Sequence, residues 1–142
     1  MTGIISCLTN SYGRFGAQAA IENVRDAGIE WIELPIRTEG SDSIFGDEPL
    51  LTDQATPSQM SEVARRLADH DVRLSSCNVI SGNPLDPDVL AVTLRKLDVA
   101  TDLGVNLVVG GAGEADNEDD LAALYANLRQ IGDHAAPHGL TY

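Results

Sequence analysis

The sequence predicts an α/β protein with a parallel sheet, in which short strands alternate with helices. A strand pattern followed by a helix pattern occurs four times, and a fifth strand pattern begins at Leu140. The strand patterns are rich in Ile, Val and Leu and carry few charges, which is typical of strands covered on both faces. Because strands that alternate with helices of this length form right-handed βαβ units, we expect the strands to be parallel.

The four complete strands are predicted at apolar runs of similar length. They cover residues 4–8, 31–35, 74–78 and 106–110. No hairpin signal separates consecutive runs, so we expect the strands to lie side by side in sequential order. A fifth strand that starts at Leu140 would leave the sheet unfinished at Tyr142, and the 142 residues therefore look like part of a longer protein.

Each gap between strands holds one helix pattern. Thr56, Pro57 and Gln59 predict a capping box at the start of the second helix. Asn117 and the acidic residues after it predict the start of the fourth helix, because carboxylates complement the positive end of the helix dipole. The residues predicted to face the sheet follow helical spacing. They are Ala17, Ala20, Ile21, Val24 and Ala27, then Met60, Val63, Ala64 and Leu67, then Leu90, Leu94, Leu97 and Ala100, and finally Leu121, Leu124, Leu128 and Ile131.

Composition narrows the classes of partner and location. The formal net charge is −13 and Lys96 is the only lysine, which argues against nucleic acid or an anionic membrane surface as a partner. No basic residue precedes the first apolar run, and no run approaches the roughly 18 apolar residues of a membrane helix, so we expect a cytoplasmic protein. The acidic excess fits either a solvated, self-repelling surface or an adaptation to high salt.

The cysteines and histidines carry no predicted catalytic role. Cys7 and Cys77 fall on strands one and three, about 9.6 Å apart in a sequential sheet, whereas bridged Cα atoms lie within about 6.8 Å. We therefore expect two free thiols. His70, His134 and His138 are expected at helix ends, where they interact with the helix dipole.

Two architectures fit this order of elements. A doubly wound sheet is complete with five strands, whereas an eight-stranded barrel needs about 250 residues and would be only half present. The first strand-to-helix turn, residues 9–16, lacks the G-x-G-x-x-G spacing of a dinucleotide site. The regular recurrence of the units favours the barrel.

Three short phrases resemble barrel strands two, three and four of the sugar phosphate isomerase/epimerase family, the xylose-isomerase-like TIM barrels. They are AGIEWIEL at 27–34, LSSCN at 74–78 and LGVNLVV at 103–109. The resemblance implies (β/α) units of a TIM barrel, about four of eight, with residues 1–142 as one domain and the C-terminal half missing. It also implies a divalent metal, Mn, Mg, Co or Zn, held by two Glu, one Asp and one His from strands five to eight. Neither metal ligands nor catalytic residues are then expected before residue 142.

The resemblance implies a metal-dependent isomerase or epimerase that removes a proton next to the carbonyl of a small sugar or polyol, phosphorylated or not. A dehydratase of the same superfamily, a non-catalytic half-barrel that associates with a second copy, and a flavodoxin-like binding module are the alternatives. The endonuclease branch of this superfamily places zinc-binding His at the ends of strands three and four. Because this chain has Asn78 and Gly110-Gly111 there, a nuclease is not expected.

Candidate substrate-binding residues follow the strands at their carboxyl ends, where α/β proteins bind ligands. Glu33 is a carboxylate on an interior strand, so it either forms an ion pair with Arg37 or another Arg, or contacts substrate. Asn78 can bond a sugar hydroxyl or the loop backbone. Arg37, Asn10 and Tyr12 complete the predicted pocket wall.

Three loops that contain glycine are further candidate ligand sites. The segment 110–113 could let a phosphate approach the backbone, but the carboxylates that follow would repel a dianion. A close-packed or flexible loop is therefore favoured there. The long segments 36–55 and 79–85 come after strands two and three, at the edge where ligands are expected.

Overall fold

The sheet of this protein contains four parallel strands in the order β1-β2-β3-β4. The computed structural model describes residues 3–142. The strands are β1 Ser6–Leu8, β2 Trp31–Pro35, β3 Arg73–Asn78 and β4 Val108–Val109. The α-helices are α1 Gly16–Asn23, α2 Pro57–Asp69, α3 Pro87–Asp102 and α4 Glu118–Ala135. The predicted sequential, parallel order is confirmed, and the doubly wound alternative, with β1 between β3 and β4, is excluded.

One face of the sheet is buried under the helices. Ile32 and Leu34 of β2 are fully buried in a cluster with residues of α1 and α2. Cys77 and Val108, from β3 and β4, are buried in a second cluster with residues of α3 and α4. The apolar strand residues thus form two adjoining cores between the sheet and the helices, which is the helix-facing half of a (β/α) barrel wall.

The other face of the sheet, which would line the inside of a closed barrel and is called the concave face below, is largely uncovered. Leu8, Leu107 and Val109 are 36%, 45% and 39% exposed. Leu8 is opposite Glu33 in the register of β1 and β2, and Val109 is opposite Asn78 in that of β3 and β4. Because side chains alternate across a strand, this face corresponds to the interior of a barrel.

The helix starts agree with the sequence. Thr56 accepts a hydrogen bond from the backbone of Gln59, and the Gln59 side chain accepts one from the backbone of Thr56. Asn117 accepts from the backbone N–H of Asp120 at 2.9 Å. Glu118, Asp119 and Asp120 lie in the first turn of α4, where the helix dipole favours carboxylates.

Three predicted inner-face residues are exposed, so the prediction was wrong for them: Ala27, Ala64 and Leu121. At Ala27 the reason is a change of helix type. The helix continues past Asn23 as a 3-10 helix, Val24–Ala27. A 3-10 helix has 3.0 residues per turn and an α-helix 3.6, so the side chains no longer follow the α-helical spacing. Ala27 is therefore rotated away from the core.

The last residues of the chain extend the sheet as predicted. Thr141 forms a parallel bridge with Leu107, its N–H donating to Asn106 O at 2.8 Å while its carbonyl accepts from Val108. Both cysteines are free, as predicted. Within residues 3–142, the helices are all too short or too polar to cross a membrane.

Candidate functional site

Glu33 lies in the middle of β2 on the concave face, next to two polar residues of β3. Ser76 Oγ donates to Glu33 Oε2 at 2.8 Å. Asn78 Nδ2 donates to Glu33 Oε1 at 3.4 Å. The Glu33 side chain is thus held between two donors while remaining partly accessible from the concave side. A carboxylate in this position can accept hydrogen bonds from hydroxyl groups of a ligand.

A β-bulge in β3 brings Ser76 opposite Glu33. The register pairs Ile32 with Leu74 and then Glu33 with Ser76, which leaves Ser75 as an extra residue. Its Oγ donates to Ile32 O at 3.0 Å and lies 2.6 Å from Ser6 Oγ. Bulges re-aim side chains next to functional sites. Without the extra residue, Ser76 would point towards the helices.

Asn78 connects Glu33 to the loop after β3. Its Oδ1 accepts the backbone N–H of Ile80 at 3.1 Å while its Nδ2 points to Glu33. The Ile80 carbonyl in turn accepts from Lys96 Nζ at 3.0 Å. Of the two roles predicted for Asn78, the bond to loop backbone is therefore present, and it fixes which end of the amide faces Glu33.

Lys96 is a buried cation behind this loop, and only 1% of it is exposed. Burial lowers the pKa of the Lys96 amine to about 8, with Asp53 opposing and Arg37 assisting the change. Lys96 is not among the site residues predicted from the sequence. Lys96 lies on the buried face of α3 with Thr93 and Leu97. Its helical spacing from Thr93 and its place beside Leu97 are the sequence signal that could have revealed a buried lysine.

Arg37 does not pair with Glu33, and that interpretation of Glu33 was wrong. Arg37 Nη2 lies 3.1 Å from Asp47 Oδ1, and the two side chains are 17% and 9% exposed. The reason lies in the backbone, because β2 ends at Pro35 and Arg37 instead forms a parallel bridge with Thr52 of the following loop. Arg37 therefore holds the 36–55 loop together, and a contact with substrate stays a prediction.

Asp53 anchors the same loop to α3. Its carboxylate is buried and accepts from Glu39 N–H at 2.7 Å and from Arg95 Nε at 2.9 Å, and it lies 2.8 Å from Arg95 Nη2. Burial raises the pKa of Asp53, but the hydrogen bonds from Glu39, Arg95 and Gln54 outweigh it and hold that pKa below its ordinary value. The loop is thus fixed at both ends, by Arg37 near β2 and by Asp53 near α2.

Asn10 and Tyr12 lie in the 3-10 turn Thr9–Phe15 that follows β1. Both side chains are half-buried. Burial raises the pKa of Tyr12, and the neighbouring Cys7 and Asp26 raise it further. The structure places the two residues at the carboxyl end of β1, whereas their contact with a ligand stays a prediction.

A convergent set of metal-ligand side chains was missed by the sequence analysis. Asp98, His134 and His138 lie together near the ends of α3 and α4. The spacing of four residues between His134 and His138 was a visible signal, whereas the approach of Asp98 depends on how the two helices pack. His70 lies apart from them as the C-cap of α2, in agreement with its predicted role.

A profile of the family described as "Xylose isomerase-like TIM barrel" matches residues 21–142. Together with four sequential parallel strands and their helices, this match shows that the chain belongs to the xylose isomerase-like TIM barrel family. The four strands form part of such a barrel. No curated protein matches the sequence.

Solved structures with the same fold include three bacterial proteins. A xylose isomerase-like TIM barrel protein from Mycobacterium smegmatis in complex with magnesium has 19% identity and a TM-score of 0.71 over 99% of this chain and 54% of its own. A sugar phosphate isomerase/epimerase from Parabacteroides distasonis has 14% identity and a TM-score of 0.65 over 98% of this chain and 50% of its own. D-psicose 3-epimerase with D-tagatose from Clostridium cellulolyticum has 15% identity and a TM-score of 0.65 over 95% of this chain and 49% of its own. The chain therefore spans about half the length of these structures.

Proposed function

We propose that the protein is a sugar isomerase or epimerase that acts by removing a proton next to a carbonyl, and that residues 1–142 supply one wall of its substrate pocket. The substrate class is a small sugar or polyol, phosphorylated or not. The N-terminal half of a barrel provides this wall, and a C-terminal half of similar size completes the pocket.

The arrangement of Glu33, Ser76 and Asn78 carries the proposal. The three side chains lie on two neighbouring strands of the barrel-interior face and form one hydrogen-bonded group. A carboxylate and an amide supply the acceptors and donors that sugar hydroxyls need. The family membership and the epimerase with bound D-tagatose among the structural neighbours support the choice of a sugar.

The metal implied by the family does not fit the residues at this site. Glu33 is the only carboxylate in the group that it forms with Ser76 and Asn78, and the Asn78 Oδ1 already accepts from Ile80. In the part of the chain that the structure describes, the one convergent group of three His, Cys, Asp or Glu ligands lies elsewhere. Three or four ligands are needed for a divalent ion. Any metal for the reaction would therefore need ligands outside residues 3–142.

The roles that remain for this chain are binding and orientation. Glu33 accepts hydrogen bonds from substrate hydroxyls, and Ser76 and Asn78 keep its carboxylate in place. Lys96 and Ile80 hold the Asn78 amide in one orientation. Such positioning lowers the entropic cost of bringing the reacting carbon to an acid or base.

The test is exchange of the proton next to the carbonyl with solvent deuterium, followed by NMR. Ketohexoses and their phosphates are incubated with this chain and with the chain extended by four further (β/α) units, each with Mn²⁺ or Mg²⁺. We expect exchange only with the extended protein, and a loss of sugar affinity when Glu33 is replaced by Gln. An extended, metal-loaded protein that exchanges no proton in any of these sugars would overturn the proposal.

The open concave face favours a second candidate, a non-catalytic half-barrel that associates with another copy. Leu8, Leu107 and Val109 expose apolar surface there, and burying such surface drives association. Analytical ultracentrifugation distinguishes the two. A dimer that forms with rising concentration and is lost in Leu107→Glu supports the half-barrel candidate, whereas a stable monomer counts against it.

A further inference from the structure

Three side chains with metal-ligand atoms meet at the ends of α3 and α4. Asp98 lies near the end of α3, His134 in the last turn of α4, and His138 in the 3-10 turn Ala136–His138. One ligand atom from each lies within 4.8 Å of the others. His134 Nε2 is 2.7 Å from Asp98 Oδ1, and the two imidazole rings are 5.9 Å apart between centroids.

The backbone under this cluster is held in place by the core. Leu97 and Ala100 flank Asp98 on α3, and Ile131 and Ala135 flank His134 on α4, and all four are buried in one cluster. Leu140 N–H donates to Ala135 O at 3.2 Å and fixes the turn that carries the second histidine. The backbone positions of the three residues are therefore set before any ion binds.

We propose that Asp98, His134 and His138 bind one Zn²⁺ or a similar late first-row divalent ion, with water as the fourth ligand. Two imidazole nitrogens and one carboxylate oxygen suit Zn²⁺, Co²⁺ or Ni²⁺, whereas Mg²⁺ and Ca²⁺ prefer sets of oxygen ligands. The ion would take the place of the hydrogen bond between His134 Nε2 and Asp98 Oδ1.

The distances require only a small adjustment. Tetrahedral bonds of about 2.1 Å place the ligand atoms of a zinc site about 3.4 Å apart. The His134 and Asp98 atoms are already nearer than this, at 2.7 Å. His138 is exposed, so its ring can rotate towards them without disturbing the core.

The site lies at the opposite end of the sheet from Glu33. Helices of a (β/α) unit run back across the strand, so the last turns of α3 and α4 lie at the amino-terminal end of the strands, which in TIM barrels contributes to stability. The ion would join α3 to the segment after α4. This role is independent of any sugar chemistry at the carboxyl end.

The experiment is calorimetric titration of the untagged 142-residue chain with Zn²⁺ in the presence of excess Mg²⁺. The Mg²⁺ occupies the many carboxylates of the surface, so that only a site with nitrogen ligands still takes up Zn²⁺. We expect one Zn²⁺ per chain with a Kd in the micromolar range or below. When Co²⁺ is bound in place of Zn²⁺, we expect the visible absorption that is typical of tetrahedral Co²⁺. At free Zn²⁺ about a hundred times the Kd, Tm should rise by roughly 5 °C or more.

His138→Ala and Asp98→Asn should each weaken Zn²⁺ binding by at least about tenfold. His70→Ala is the matched control, because it removes a histidine that also ends a helix but lies outside the cluster, and binding should not change. The Tm of each variant without metal shows whether it folds. If Asp98→Asn does not fold, His138→Ala still tests the proposal, because His138 is exposed and its replacement leaves the core intact. Absence of saturable binding in the presence of Mg²⁺, or one-to-one binding that survives His134→Ala/His138→Ala, would overturn the proposal.

Discussion

Ser76 donates a hydrogen bond to Glu33 from the neighbouring strand, with 2.8 Å between Ser76 Oγ and Glu33 Oε2. Ser76 is only 4% exposed, so water cannot easily replace it as the donor. The bond exists because Ser75 is an extra residue in β3 that turns Ser76 to the concave face. A local irregularity of the strand thus determines the surroundings of the one acidic residue of β2.

Replacing Ser76 by Ala should destabilise the fold by about 1–2 kcal/mol, because a hydrogen bond to a partly buried carboxylate is lost. Urea unfolding measures the change. Ser61→Ala is the control, since Ser61 is exposed on α2 and alanine favours a helix; this variant should be as stable as the wild type or slightly more so. Equal midpoints for Ser76→Ala and wild type would mean that the bond contributes nothing.

Asp53 should make stability depend on pH in the acidic range. The pKa of Asp53 is held below its ordinary value of 3.8 in the folded state, so the unfolded chain binds more protons there and stability falls as the pH drops through and below that value. Asp53→Asn should lose about 1.5–3 kcal/mol at pH 7, since the buried carboxylate bonds to Arg95 and Glu39 are lost. The difference in unfolding free energy between wild type and Asp53→Asn should become smaller towards pH 3.

Asp42→Asn is the matched control for this measurement, because Asp42 lies exposed in the same loop. Its unfolding free energy should follow that of the wild type from pH 7 to pH 3. A gap between Asp53→Asn and wild type that stays constant over this range would show that Asp53 is not the titrating group.

Lys96 should make stability depend on pH in the alkaline range, and as for Asp53 the stability should rise with pH. The pKa of the Lys96 amine is about 8 in the folded state and 10.5 ordinarily, so between these values the unfolded chain binds the extra proton. Stability relative to Lys96→Met should therefore rise by up to about 3 kcal/mol from pH 7.5 to pH 10.

The comparison with Lys96→Met is needed because Cys77 titrates in the same range. Burial, and to a smaller extent the charge of Glu33, raise the pKa of the Cys77 thiol to about 12, which lowers stability as the pH rises above 9. This contribution is common to both proteins and cancels in their difference. A difference that is flat between pH 7.5 and pH 10 would contradict the assignment to Lys96.

The order of the elements could be predicted from the sequence, because apolar runs, caps and spacing are local signals. β2 has its predicted bounds, and the capping box at Thr56 is present. Residues such as Ala27 could not be placed, since the helix changes its period after Asn23. β1 and β4 are also shorter than predicted, because pairing decides where a strand ends.

The neighbours of Glu33 could not be predicted because they depend on a bulge and on loop contacts. An alternating pattern without the bulge would place Ser75, not Ser76, beside Glu33. Arg37 is close to Glu33 in sequence, yet it pairs with Asp47 because the chain turns into the loop after Pro35. The meeting of His134 with Asp98 likewise depends on the packing of α4 on α3, which no local pattern specifies.

Added salt should stabilise the chain, because screening weakens the repulsion expected at a net charge of −13. Urea midpoints, rather than those in guanidinium chloride, are compared at low and molar KCl so that the denaturant itself carries no charge. Sucrose serves as the control for general exclusion from the protein surface. A midpoint that is unchanged or lower in KCl would rule out the adaptation to high salt.

Gly113 should tolerate no side chain, whereas Gly132 should accept one. Gly113 has a φ of +81°, and a Cβ there would lie 2.6 Å from Asn83 Oδ1 and 2.7 Å from Pro84 Cδ. Gly113→Ala should therefore lose about 2–4 kcal/mol, from the left-handed backbone and from overpacking. Gly132 lies in α4 with no atom within 4 Å of a Cβ, and Gly132→Ala should gain up to about 1 kcal/mol from helix propensity. Urea unfolding of the two variants separates a close-packed loop at 110–113 from a flexible one, because a flexible loop would leave Gly113→Ala nearly as stable as the wild type.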